Sequence, residues 1–229
     1  MKTNYRLLIR PNDDGNTACL VGVDGMSNDD TIFANLGKYE GFNNYETDEV
    51  LVIDVGEYAG KRYKITEIKP CSVSHCREVK EIFIGAEVEK INWNMYECVS
   101  LLNIRVDTNN KVFHEVEGVL FKGKELIAFP HGRRGKYIVP EGIKKLGNCS
   151  FKSSRIENIV LPDSLVEIGS NVFYECPNLS EIVLPKRIKK VAMNCDKRHV
   201  PIGQKFYLSE DTNRSNPLSI TEITKMYPA

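Results

Sequence analysis

The stretch that decides the fold is MYECVSLLNI at residues 95–104, because it recurs as FYECPNLSEI at residues 173–182. In both stretches an aromatic or large apolar residue precedes Tyr-Glu-Cys, and a Leu and an Ile follow at matched spacing. Extending this register outward reveals further copies, whose first positions are Ile65, Val88, Ile143, Leu165 and Ile188. Adjacent copies thus start at a nearly constant spacing, and self-similarity at a fixed period of this length is the signature of a repeat architecture.

Each copy contains a short strand followed by a compact return arm. The strand is recognised by apolar residues in a run such as residues 182–184 (IVL). Pro162 and Pro185 close two of these strands at equivalent places, as Pro140 does after residues 137–139, because proline cannot donate a ladder hydrogen bond. A single coil cannot bury its apolar stripe, whereas stacked coils bury one continuous core. The repeat therefore predicts a solenoid.

The cysteines follow the repeat. Cys76, Cys98 and Cys176 share one repeat offset, Cys71 and Cys149 share another, and the third copy lacks its Cys. Because Cys is small and fairly apolar, we expect it at crowded, inward-facing positions of a ladder. Seven cysteines is an odd number, and a chain of 229 residues does not depend on disulfide staples, so we expect reduced thiols.

The period breaks between Val106 and Ile143. Residues 112–130 contain two apolar runs separated by KGKE at residues 122–125. A short link that contains Gly between two β-rich runs predicts a β-hairpin. We expect this hairpin to replace the return arm of one coil.

These motifs resemble the leucine-rich repeats of the BspA type. The resemblance lies in a Leu-x-x-Ile-x-Leu-Pro strand, then Ile-x-x-Ile-Gly, an aromatic residue and Cys, and in the insert GVLF at 118–121 followed by LIAFP at 126–130. It implies an α/β (β-rich) fold class, a right-handed leucine-rich-repeat solenoid of about 22–23-residue coils with one hairpin insertion and terminal caps.

The repeat map predicts three regions. Residues 1–49 are expected to form an N-terminal β cap, residues 50–191 the solenoid with its hairpin insert at about 107–137, and residues 192–229 a C-terminal cap. Within the caps, strands are predicted at residues 5–9, 17–23 and 205–208, and a short helix at residues 221–225 after a proline. Caps are expected because the open ends of a solenoid core would otherwise face water.

The charges balance over the whole chain but not over its parts. The 31 Lys and Arg match the 31 Asp and Glu, which argues against a whole-protein attraction to nucleic acid or to an anionic membrane. Residues 1–121 hold 13 basic and 20 acidic side chains (net −7), residues 122–205 hold 16 and 8 (net +8), and the remainder hold 2 and 3 (net −1). The charge distribution therefore allows an acidic partner for the C-terminal half. It also allows either a monomer or a weak head-to-tail self-association.

The sequence predicts neither a membrane-spanning segment nor an export signal. No run of ~18 apolar residues exists, so no span of a bilayer is expected, and residues 1–10 contain only three consecutive apolar residues. As written, the chain is expected to be cytoplasmic. The alternative is a cell-surface or secreted protein from which an export segment was removed.

Candidate catalytic and metal-binding groups are sparse. Cys71, His75 and Cys76 lie close in sequence, as do Cys195 and His199, but neither set has the paired spacing of a structural zinc site. The sequence GRRGK at residues 132–136 lacks the spacing and the following Ser or Thr of a phosphate-binding loop, which favours an exposed basic turn. We therefore predict no enzyme activity, no cofactor and no metal, with a cryptic metal-dependent hydrolase as a remote alternative.

Binding is expected on the strand face. Because side chains alternate along a strand, residues that flank each buried Ile or Leu point outward, and stacking the copies gives two outward rows. The first row is Phe83, Arg105, Ile138, Val160 and Val183. The adjacent row is Glu81, Asn103, Lys136, Asn158 and Glu181. An exposed apolar row rimmed by polar residues is typical of a protein-interaction surface, although β-branched residues are also favoured there by strand propensity alone.

The resulting hypothesis is a non-enzymatic leucine-rich repeat protein that mediates protein–protein interaction through its concave strand face. The resemblance implies the same class of role, because BspA-type repeats are common in surface or secreted proteins that adhere to host or microbial partners. The alternative is an adhesin or carbohydrate-binding cell-surface fragment whose export signal is absent from this chain. The sequence does not identify the partner, because the specificity of a solenoid lies in a dispersed surface.

Overall fold

The structure is a computed structural model of the 229-residue chain. It describes residues 5–24, 44–45, 50–92, 95, 97–192, 204–209, 217–218 and 220–228. The chain divides into two compact units, Met1–Leu120 (unit 1) and Phe121–Ala229 (unit 2). This division differs from the predicted scheme of cap, solenoid and cap, which stays a prediction.

Unit 1 consists of strands in its described part, and the last of them crosses the unit boundary. The strands are β1 (Tyr5–Pro11), β2 (Thr17–Asp24), β3 (Asn44–Tyr45), β4 (Val50–Ile53), β5 (Val55–Tyr58), β6 (Lys61–Ile68), β7 (Glu81–Ile84), β8 (Lys90–Ile91), β9 (Asn103–Val106), β10 (His114–Val116) and β11 (Val119–Lys122). Strands β1 and β2 contain the two strands predicted near the N-terminus.

Two parallel ladders organise unit 1. One is β4-β7-β9, in which Glu81 pairs with Asn103 of the next coil. The other is β2-β6-β8, in which Ile68 pairs with Ile91 of the next coil. The sequence interpretation anticipated one strand per coil, whereas the structure places a second, shorter strand in the return arm. Strand β2 therefore continues a repeat ladder into the region that was predicted to be only a cap.

A hairpin that the sequence analysis missed leads into the first copy. Strands β5 and β6 pair antiparallel through a two-residue turn at Ala59 and Gly60. Both turn residues have positive φ, 49° and 76°, the conformation that two-residue hairpin turns favour because it matches the twist of the strands.

Unit 2 continues the repeat. Its elements are β12 (Glu125–Ala128), β13 (Lys136–Ile138), β14 (Lys145–Leu146), β15 (Asn158–Val160), β16 (Glu167–Ile168), β17 (Glu181–Leu184), β18 (Lys190–Val191), β19 (Lys205–Leu208) and the helix α1 (Ile220–Met226). Strands β11 and β12 form the predicted hairpin, with a turn at Gly123 and Lys124. The predicted strand at residues 205–208 and the helix near the C-terminal end are confirmed.

Parallel ladders again organise unit 2. Strands β13 and β15 pair in register, with Lys136 beside Asn158, and β17 pairs with β19, with Glu181 beside Lys205. The short strands β12, β14, β16 and β18 form the second ladder. Because β19 pairs along all of β17, it extends the strand face into the region that was predicted to be only a cap.

The core lies between the two ladders of each unit. On β7, Ile82 and Ile84 are fully buried while Glu81 and Phe83 are partly exposed, as alternation predicts. In unit 2 the aromatic rings of Phe129, Phe151 and Phe173 pack in series, with centroid separations of 4.8 and 5.8 Å. The β-rich solenoid class and the predicted length of its coils are confirmed.

The prediction that the cysteines face the core is confirmed for one of their two positions in the repeat. Cys76, Cys98 and Cys176 are buried, and Ser154, which the sequence analysis did not align with them, fills the same buried position in the copy that lacks its Cys. The Cys176 thiol donates to Phe151 O at 3.0 Å, and burial, as the largest cause, raises its pKa to about 11.

The prediction is wrong for the second offset. Cys71 is exposed and Cys149 is partly exposed. Both have φ near +60° (59° and 58°), so the chain reverses in the left-handed region there and the side chains turn away from the core.

Candidate interaction surface

In unit 1, the two predicted rows lie on the ladder of β4, β7 and β9. Phe83 stands in register between Val52 and Arg105, and Glu81 stands next to Asn103. Arg105 is exposed, whereas Phe83 is only partly exposed because it lies between these two cross-strand neighbours. Phe83 therefore lies on the outer face, as predicted for the first row, but is half-covered.

A cleft of about 350 Å³ opens beside this face in unit 1. Its lining residues are Glu81, Asn103, Arg105, Glu115, Glu117 and Gly118. Arg105 Nη1 lies 3.7 Å from Glu81 Oε1, and Glu115 Oε2 accepts a hydrogen bond from the Gly118 N–H at 2.7 Å. Both partners of the Arg105–Glu81 ion pair are within reach of solvent, so the pair contributes little to stability.

In unit 2, the first row contains two of the most exposed large apolar side chains of the described residues. Ile138 is 60% exposed and Val160 is 41% exposed, and the two residues are register partners on β13 and β15. Lys136 and Asn158, also exposed, flank them as register partners in the adjacent row. This set of four residues is called the unit 2 patch below.

The rows continue on β17 and β19. Glu181 is exposed and Val183 is partly exposed on β17, where they pair with Lys205 and Tyr207 of β19. Tyr207 is buried, so the apolar row ends in a covered aromatic side chain. Val52, Lys205 and Tyr207 were missed by the sequence analysis because each lies on a strand outside the recognised copies, although the alternation in residues 50–53 and 205–208 was the available signal.

The Cys–His set in unit 1 is separated by the fold. Cys76 is buried and Cys71 is exposed, while the His75 Nδ1 lies 3.3 Å from Glu97 Oε2. The same carboxylate accepts a hydrogen bond from Arg77 Nε at 2.9 Å, and Arg77, ahead of His75, lowers the pKa of Glu97. Within the described residues, no group of three or more His, Cys, Asp or Glu side chains could hold a metal ion. Cys195 and His199 lie outside the described residues.

The basic turn at residues 132–136 packs against an aromatic core. Arg134 is exposed, and the Arg133 guanidinium lies 6.0 Å from the centroid of the Phe129 ring. Gly135 has φ of +77°, and its carbonyl accepts hydrogen bonds from the N–H groups of Glu157 (2.9 Å) and Asn158 (3.0 Å). The turn therefore joins adjacent coils through its backbone, and its cations lie at the start of β13.

His131, just before this turn, is the one buried histidine of the described residues. It is 3% exposed, and its Nδ1 has no hydrogen-bond partner within the described part of the chain. Burial, with a smaller contribution from the nearby Lys152 cation, lowers its pKa from 6.5 to about 4. The imidazole is therefore neutral at pH 7.

The two units carry opposite charge. Residues 1–120 hold 13 basic and 20 acidic side chains (net −7), and residues 121–229 hold 18 and 11 (net +7). Each unit therefore has its own electrostatic preference, which the overall value of zero conceals.

The fold is that of a leucine-rich repeat solenoid, and the sequence matches a known family of leucine-rich repeats. The family model of the BspA type Leucine rich repeat region matches six copies over residues 61–129 and 128–198. The chain belongs to this family, as the motifs and the hairpin insert predicted. No curated protein matches the chain significantly.

Solved structures of bacterial leucine-rich repeat proteins are similar to this chain. A leucine-rich repeat protein from Eubacterium ventriosum is 24% identical, with a TM-score of 0.49 over 57% of this chain and 36% of its own. The pneumococcal vaccine antigen PcpA is 23% identical (TM-score 0.45, 58% of this chain and 40% of its own). A Bacteroides ovatus leucine-rich repeat protein is 18% identical (TM-score 0.44, 88% and 51%). This chain covers only about a third to a half of the length of each of these proteins.

None of the helices in the described part of the chain has the length and apolarity required to cross a bilayer.

Proposed function

We propose that this chain is a non-enzymatic interaction module that binds a partner protein through its strand faces. The observation that carries the proposal is the unit 2 patch, where Ile138 (60% exposed) and Val160 (41% exposed) stand side by side on parallel strands. An apolar pair with a polar rim is the composition of a binding surface, in which a few large side chains supply most of the free energy.

The charges support a partner with acidic groups. Lys136 borders Ile138 on the same strand, and unit 2 as a whole carries a net charge of +7. Such a surface attracts an acidic partner and accelerates its association at low ionic strength.

The experiment compares capture of a partner by the chain with capture by Ile138→Asp and Val160→Asp variants. Removing an apolar side chain from a buried contact costs about 1.5–3 kcal/mol of binding free energy, which corresponds to about 10- to 100-fold in affinity. Phe83→Asp is the weaker choice in unit 1, because Phe83 is partly buried and its loss also lowers the stability of the fold.

The matched control is Leu102→Asp, an aliphatic residue of unit 1 with similar exposure (42%) that lies outside both rows. Capture that is lost in the Ile138 and Val160 variants and kept in the Leu102 variant, with unchanged circular dichroism for all three, supports the proposal. Undiminished capture by both unit 2 variants would show that the patch is not the binding surface.

A further inference from the structure

Two buried cysteines of unit 1 occupy equivalent positions in adjacent coils. Cys76 and Cys98, called the cysteine pair below, are both fully buried and are free thiols in the structure. The Cys98 Sγ donates a hydrogen bond to Val73 O at 3.6 Å, so it reaches the coil that contains Cys76. The Cys76 Sγ donates to Ser74 O at 3.7 Å, within its own coil. The two thiols therefore point into the same part of the core.

Unit 2 repeats this geometry with one thiol replaced by a hydroxyl. The Cys176 Sγ donates to Phe151 O of the preceding coil (3.0 Å) and to Tyr174 O of its own coil (3.7 Å), which are the counterparts of the two hydrogen bonds in unit 1. The residue that precedes Cys176 by one coil is Ser154, and its Oγ lies 3.5 Å from the Cys176 Sγ. Because both pairs occupy the same repeat positions, we infer that the two sulfurs of the cysteine pair are in contact as well.

The backbones of the cysteine pair are held side by side. Parallel ladders join the two coils on either side of the pair, through Ile68 with Ile91 before it and Glu81 with Asn103 after it. Neighbouring coils in such ladders are about 4.8 Å apart, and a disulfide requires a Cα–Cα separation of about 4.4–6.8 Å. A hydrogen bond to the partner thiol, ahead of burial, also raises the pKa of Cys76. The stacking of the coils therefore brings the two cysteines within range of a covalent bond.

We propose that Cys76 and Cys98 become joined by a disulfide when the chain folds in an oxidising compartment. The oxidant is a low-molecular-weight disulfide, RSSR. The thiolate of one cysteine attacks RSSR, the S–S bond of RSSR breaks, and the leaving thiolate takes up a proton and departs as RSH. The thiolate of the other cysteine then attacks the mixed disulfide, forms the protein disulfide and releases a second RSH. Two electrons and two protons thus pass from the cysteine pair to RSSR.

This exchange takes place while the coils assemble, before the core closes over the sulfurs. In the folded chain both side chains are fully buried, and burial keeps a thiol protonated and out of reach of an oxidant. The same burial protects the disulfide from reductants once it has formed. The structure has both thiols free, so the disulfide adds stability to a fold that also forms without it.

The disulfide stabilises one coil of unit 1. It closes a loop that contains β7 and β8, and closing a loop of this length restricts the unfolded chain. We expect the melting temperature of unit 1 to rise by about 5–10 °C. The inference does not depend on the proposed function, since both sulfurs lie in the core and neither contributes to a strand face.

The test is to refold the full chain from urea, once in a mixture of reduced and oxidised glutathione and once in dithiothreitol. The remaining thiols are alkylated with iodoacetamide in denaturant, and proteolysis with mass spectrometry identifies linked peptides. We expect Cys76 and Cys98 to be alkylated after refolding in dithiothreitol and to be linked to each other after refolding with glutathione. The linked chain is expected to melt about 5–10 °C above the reduced chain.

Two variants complete the test. Cys98→Ser removes one sulfur with the smallest change in shape, and it is expected to leave Cys76 unlinked and to abolish the rise in melting temperature. Ser154→Cys is the matched gain, because it places a second thiol beside Cys176, and we expect a new disulfide between positions 154 and 176 under the same conditions. The proposal is overturned if both members of the cysteine pair are alkylated after refolding with glutathione, or if either is linked to a different cysteine. It is also overturned if the linked chain melts no higher than the reduced chain.

Discussion

Protonation of His131 is expected to weaken unit 2 below pH 6.5. The imidazole is 3% exposed, and its surroundings hold its pKa at about 4, against 6.5 for an ordinary histidine. The unfolded chain therefore binds a proton between pH 6.5 and pH 4 that the folded chain does not bind. The stabilisation is fully present above pH 6.5 and is lost progressively as the pH falls towards 4.

The size of the loss follows from the two pKa values. They differ by about 2.5, and each unit corresponds to 1.36 kcal/mol, so full protonation costs about 3 kcal/mol of unfolding free energy. The free energy of unfolding of a domain is about 5–15 kcal/mol, so the loss caused by this one histidine is a substantial share of it. The backbone of His131 is tied to a neighbouring segment, because the Arg155 N–H donates to His131 O (3.1 Å).

The assay is urea denaturation followed by circular dichroism at pH 7, 6, 5 and 4, for the chain and for a His131→Phe variant. Carboxylates titrate in both proteins, so the difference between the two pH profiles isolates the histidine. We expect that difference to change by about 3 kcal/mol between pH 7 and pH 4 in favour of the variant. His114→Gln, at an exposed histidine, serves as the control and should follow the unmodified chain. A His131→Phe profile parallel to that of the unmodified chain would refute the reasoning.

Two further predictions concern the packing of adjacent coils. Gly85→Ala places a Cβ against Asp54 Oδ1 and 2.8 Å from Asp54 Cα, so we expect it to lower the unfolding free energy by about 1–3 kcal/mol, measured by urea denaturation. An equal effect of Ala86→Ser at the next residue would argue against the close approach as the cause. Ser154→Cys restores the cysteine of the other copies at a fully buried position whose Oγ lies 3.5 Å from Cys176 Sγ, so thermal melting should be unchanged or raised. A fall of more than about 4 °C would contradict the equivalence of the positions.

The repeat made the ladders predictable, and the alternation within each strand identified which side chains point outward. Ile82 is buried and Phe83 faces out because neighbouring residues of a strand lie on opposite faces. Alternation does not reveal how far neighbours cover an outward side chain. For example, Ile138 on the short strand β13 is 60% exposed, whereas Tyr207, at an equivalent position of the row, is buried.

The errors in the sequence analysis have local causes. Cys71 and Cys149 share a repeat offset, as core residues do, but the backbone at both positions has positive φ and directs them outward. The hairpin at Ala59 and Gly60 was missed because its first strand and its turn precede the first recognised copy.

The most direct test of binding through the strand face is site-specific photo-cross-linking in the cells that produce the protein. A photoreactive phenylalanine analogue replaces Ile138 in one version of the chain and the exposed Lys124, at the hairpin turn, in another. We expect a discrete adduct with a partner protein from position 138 and none from position 124, and we expect Val160→Asp to abolish the adduct. An adduct from position 124 alone, or one from position 138 that persists in the Val160→Asp chain, would contradict the account.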